Sequence, residues 1–90
     1  MFFNSLENQL QHWQNTINIQ PNNVNAYVHR GMVYFKLGKI AESIQDFDHA
    51  EKLDIQITPY LWQRGLSYYY AERFAEGAKQ FEIDLTVNAQ

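Results

Sequence analysis

The feature that most constrains this chain is a self-match at a single offset. Arg30-Gly31 returns as Arg64-Gly65, Tyr34 as Tyr68, Ala41-Glu42 as Ala75-Glu76 and Phe47 as Phe81, each 34 residues later and without a gap. A unit of that length holds two helices, and self-similarity at such a period marks an array of helical hairpins. One hairpin cannot bury its apolar face alone, so each is stabilised by stacking on its neighbours.

Helix signals along the chain agree with that frame. Leu6, Leu10, Trp13 and Ile17 form one apolar stripe, which predicts a first helix from Ser5 to Ile19 with Asn4 as N-cap and Glu7 in the capping-box position. Pro21 ends it, because proline disfavours helix in the residue before it and donates no backbone hydrogen bond. Asn22-Asn23 supply a turn and an N-cap for a second helix, Val24 to Leu37, with Gly38 suited to a left-handed C-terminal position. A third helix is expected from Ile40 to Leu53, with Ile40, Ile44 and Phe47 facing inward and Ala41 and Ala50 at points of close approach. Its acids, Glu42, Asp46, Asp48, Glu51 and Asp54, read as a solvated outer face. Thr58 as N-cap and Pro59 at the first helical position predict a fourth helix from Pro59 to Ala71, followed by a fifth from Phe74 to Val87. Glu72 stands where Gly38 stood, so a positive φ there costs about 1 kcal/mol.

These residues resemble the tetratricopeptide repeat (TPR), whose pattern places a small residue, a downstream aromatic, a second small residue and an aromatic at these relative positions. The resemblance covers Leu6 to Gln90 and is firmest from Val24 to Phe81. It implies an all-α fold, a right-handed superhelical solenoid of antiparallel helix pairs with about five helices. Residues 1–90 then form one domain: a half repeat or N-terminal cap helix over 1–21, and repeats over 24–57 and 58–90. The chain departs from the family pattern late: Asp84 stands where Ala50 stands, and neither Ile55 nor Ala89 is the customary proline.

Two apolar stripes run along the leading helices. Tyr27, Gly31 and Tyr34, repeated as Leu61, Gly65 and Tyr68, belong to the core of each hairpin, where the glycines admit the partner helix. One residue on, roughly 100° around the helix, lie Val28, Met32 and Phe35, repeated as Trp62, Leu66 and Tyr69, with His29 and Gln63 beside them. The TPR resemblance implies that this second stripe lines the concave surface. The expected function is therefore a protein–protein interaction scaffold, whose aromatic groove (Val28, His29, Met32, Phe35, Trp62, Gln63, Leu66 and Tyr69) takes an extended peptide or an amphipathic helix. Trp and Tyr are frequent interface anchors. The alternatives are self-association, through the groove or through a terminal helix on which Phe81, Leu85 and Val87 are left partly bare, and a fragment of a longer TPR protein whose C-terminal segment fills the groove.

Chaperone-adaptor TPRs hold a carboxylate with cationic side chains in the groove. The matching positions here, Asn25, Val28, His29, Met32, Pro59, Trp62, Gln63 and Leu66, contain no Lys or Arg, so a buried carboxylate would meet no countercharge. Pentatricopeptide repeats, which bind RNA, have nearly the same period. The net charge of -3 and the Gly and aromatic positions set that reading aside.

The remaining chemistry is predicted by absence. Three histidines fall on separate helices and no cysteine is present, so neither a metal site nor a disulfide is expected. No glycine-rich phosphate loop or nucleophile elbow occurs, and Asp46 and Asp48 diverge on one helix. The sequence therefore predicts no enzyme and no cofactor. No apolar run is long enough to span a membrane, and Met1-Phe2-Phe3 lacks a basic lead-in, so a cytoplasmic protein is expected. Arg30 and Arg64 are expected to lay their stems on the packed face and pair with acids of the following helix: Asp46 or Asp48 for Arg30, and Glu82 for Arg64.

Overall fold

The structure, a computed structural model, describes residues 5–88, and among them every regular element is helical. The elements are α1 (Ser5–Ile19), α2 (Val24–Lys36), α3 (Ile40–Leu53), a 3-10 helix (Ile55–Tyr60), α4 (Trp62–Tyr70) and α5 (Phe74–Asn88). Packing is sequential: α1 on α2, α2 on α3, α3 on α4 and α4 on α5, with the 3-10 helix touching both α3 and α5. The expected cap at Asn4 lies outside the described residues. Asn23 caps α2 as its side chain predicts, accepting from the Ala26 N–H.

The 34-residue repeat extends to the backbone hydrogen bonds of the turns. Lys39 N–H donates to the Tyr34 carbonyl at 2.8 Å, and Arg73 N–H donates to the Tyr68 carbonyl at 2.7 Å. In each turn one residue takes a left-handed conformation, Gly38 at φ 78° and Glu72 at φ 61°. The hairpin cores also match. A Cβ on Gly31 would come within 2.8 Å of the Phe47 ring, and one on Gly65 within 2.9 Å of the Phe81 ring. Phe47 is completely buried, with Ala26, Val33, Ile44 and Ala50 around the same first hairpin.

The start of the fourth helix differs from the sequence expectation. Pro59 lies inside the 3-10 helix, and α4 begins at Trp62. Local polar bonding takes this segment out of the α-helix. Asp54 accepts from the Gln56 N–H, while the Thr58 hydroxyl bonds the Ile55 carbonyl and Glu51 rather than capping a helix. Ala41 is exposed, so close approach does not occur there. Instead α3 meets α4 through Ser43 and Ser67, both fully buried, whose hydroxyl oxygens are 2.8 Å apart.

The acidic face of α3 is not simply solvated, because α3 has α2 on one side and α4 on the other. Asp46 is buried and receives a bidentate Arg30 fork at 2.7 and 2.8 Å. Asp48 and Glu51 turn to Arg64, at 2.9 and 2.8 Å. That corrects the expected Arg64–Glu82 pair. Gln80 occupies on α5 the position that Asp46 occupies on α3, and Arg64 donates to its Oε1 at 2.8 and 3.0 Å. A neutral residue at 80 leaves the charge of Arg64 to be met from the preceding hairpin.

Candidate functional site

The eight residues predicted to line one groove separate into two sets. On α2, Val28, Met32 and Phe35 are half-buried, and the Phe35 ring meets Tyr70 edge-on at 5.4 Å between centroids. Tyr70 is at the end of α4, so part of this stripe is used in joining the two hairpins. His29 turns to α1, where its ring stacks on Trp13 at 4.5 Å with 9° between planes. Gln63, its repeat equivalent, is half-buried, and among the described residues its Oε1 meets no hydrogen-bond donor.

The α4 set is more open. Trp62 is 52% exposed and Tyr69 40%, with Leu66 half-buried between them. Tyr69 packs within its own hairpin. It lies along α5, stacked on Phe81 at 5.6 Å and near Phe74, over Gly77. A Cβ at residue 77 would come within 2.9 Å of the Tyr69 ring. Trp62 stands at the other end of the stripe, where it joins Pro59, Tyr60, Phe81, Asp84 and Leu85 around a cavity of about 580 Å³. That volume falls in the range of ordinary binding pockets, roughly 300–1,000 Å³.

The rotation of the stripe explains the division. Its residues follow the glycine stripe by one position, roughly 100° around the helix. This turns them partly away from the hairpin's own second helix toward the neighbour that stacks next, although Tyr69 still lies against its own second helix, α5. For α2 that neighbour includes α4, and for α4 nothing among the described residues takes its place. Sequence reasoning missed Tyr60 and Asp84 as cavity walls, because it placed Tyr60 within a regular α-helix and treated Asp84 only as a departure from the repeat pattern. Leu85 was legible as an apolar residue left bare.

Charges around the site are largely satisfied internally. Burial raises the Asp84 carboxyl above its usual range, opposed by the Gln80 amide, which donates to it at 2.9 Å, and by the field of Arg64. Arg64 lines a second, polar cleft with Asp48, Glu51 and Arg73, where Arg64 is held by the first two and Arg73 by Glu76. Hydrogen bonding from Arg64, against a smaller burial effect, keeps Glu51 below the usual carboxylate range. Among the described residues no three His, Asp or Glu side chains gather as a metal site, and no helix is long and apolar enough to cross a membrane.

Fold and surface together define an all-helical chain of repeated hairpins with an aromatic face open on the second one. No family model matches the chain. It is similar to Hsp70-Hsp90 organizing protein 3 of Arabidopsis thaliana, 25% identical over 76 residues, which is 84% of this chain and 14% of that protein. The chain thus spans a small part of its relative's length.

Proposed function

We propose that this chain is a TPR-type protein-interaction module, which holds a segment of a partner polypeptide against the Trp62–Leu66–Tyr69 face. The observation that carries the reading is Trp62: a half-exposed indole beside an apolar cavity is the arrangement of an interface anchor. The similarity to a protein named for organising two others supports a role in protein assembly. The binding mode differs from a carboxylate clamp, since none of Pro59, Trp62, Gln63 and Leu66 is cationic. Arg30 and Arg64 are committed to acidic partners of their own, and the reading is of a binding protein rather than an enzyme.

A display library of random peptides panned on the intact protein tests the reading. Peptides retained by the wild type are expected to bind Trp62→Ala more weakly by about 2 kcal/mol or more. Selected peptides that bind both proteins equally well would exclude this face.

A further inference from the structure

The face that Trp62 borders has a counterpart inside the molecule, and that counterpart is covered. One repeat before Tyr60, Trp62, Phe81 and Leu85 stand Ala26, Val28, Phe47 and Glu51. Ala26 and Phe47 are fully buried, and Val28 and Glu51 half-buried. Their later equivalents Tyr60, Trp62 and Leu85 are 57%, 52% and 68% exposed. The 3-10 helix and α4 cover the α3 side of the first hairpin, on which both pack, and α1 packs on α2. Leu61 is fully buried at the start of α4, and Arg64, three residues on, reaches Asp48 and Glu51. On α5 the positions of Asp48 and Glu51 are held by Glu82 and Leu85. One acid is kept, and the other is replaced by an apolar side chain.

We infer that the α4–α5 face accepts an amphipathic helix of a partner protein, docked on α5 as α4 is docked on α3. An apolar residue of that helix enters the cavity beside Trp62, and a basic residue three positions later meets Glu82 with its stem on Leu85. The inference rests on the interaction reading above and specifies the partner. A second copy is a poorer occupant for two reasons. The exposed residues of α1 are polar apart from Ile19, which is 79% exposed at the end of the helix. Two α5 helices placed face to face through Leu85 would bring Glu82, three residues away on the same face, toward its own like charge.

The probe is a dye-labelled peptide of residues 55–73, which carries Leu61 and Arg64 in the required spacing, titrated with the intact protein by anisotropy. Binding is expected, with a loss of about tenfold or more for the Arg64→Glu peptide. The exposed Glu82→Lys substitution in the protein is expected to restore binding of that peptide and weaken the original, with helicity by circular dichroism confirming the fold. Equal affinities for both peptides, or no restoration by Glu82→Lys, would overturn the docking register. Failure of both peptides to bind, while display-selected peptides still depend on Trp62, would overturn this inference and leave the interaction reading standing. A dimer in light scattering that Leu85→Glu dissolves would replace the partner helix with a second copy.

Discussion

Phe47 lies against Gly31 so closely that a methyl group there would stand 2.8 Å from the ring's Cε1. Phe81 repeats the contact on Gly65, but its ring is only half-buried whereas that of Phe47 is wholly enclosed. Gly31→Ala is therefore expected to cost about 1–3 kcal/mol by overpacking, after allowance for the better helix propensity of alanine. Gly65→Ala should cost less, because Phe81 has room to shift. Urea denaturation of both variants checks the order, and an equal loss would contradict it.

Arg30 and Asp46 form a paired system whose acid is almost inaccessible, with a side-chain exposure of 6%. Arg30→Ala strands that carboxylate, and a loss of about 3 kcal/mol is expected. Arg64→Ala should cost less per ion pair, since Asp48 and Glu51 are 51% and 27% exposed and water can replace the guanidinium. Thermal melts of the two variants, together with Arg30→Met/Asp46→Leu, which removes both charges and should recover most of the loss, test the account.

At the second hairpin turn, Glu72 holds φ 61° where the first turn has Gly38 at φ 78°. Glu72→Gly is expected to stabilise the protein by about 0.5–1 kcal/mol, the left-handed penalty less the entropy of a more flexible unfolded chain. Gly38→Ala should destabilise by a similar amount. A stability gain for Glu72→Ala equal to that of the glycine variant would show that backbone strain is not the cause.

Acid titration should separate Glu51 from Asp84. Hydrogen bonding from Arg64 lowers the folded pKa of Glu51 below its ordinary 4.5, so its stabilisation is present above that pH and is lost as pH falls through the folded value. Asp84 has the opposite sign. Burial raises it above its ordinary 3.8, so its contribution is most favourable below that pH and is lost as pH rises through the folded value. Glu51→Gln is expected to flatten the acid-side loss of stability. Asp84→Asn should stabilise the protein at neutral pH and have little effect in acid. Denaturation midpoints measured from pH 3 to pH 7 (~4 units, spanning both groups) read both effects.

Much of the helical framework was determined by the sequence alone, because helix periodicity, the asparagine cap at residue 23 and the matching glycines act locally or at one fixed offset. The pairing of Gly31 with Phe47 and of Gly65 with Phe81 follows from that repeat, since equal spacing places equal residues at equal contacts. Tertiary structure decided where the second stripe points. Adjacent stripes on a helix differ by a rotation that periodicity reveals, but which neighbour fills that direction depends on how the hairpins stack. Hence Phe35 joins Tyr70, Tyr69 lies down on α5, and Trp62 is left beside a cavity that no local pattern announced. The partners of Arg64 were decided in the same way. Its guanidinium is long enough to reach two helices, and with neutral Gln80 on one side its charge is met by Asp48 and Glu51 on the other.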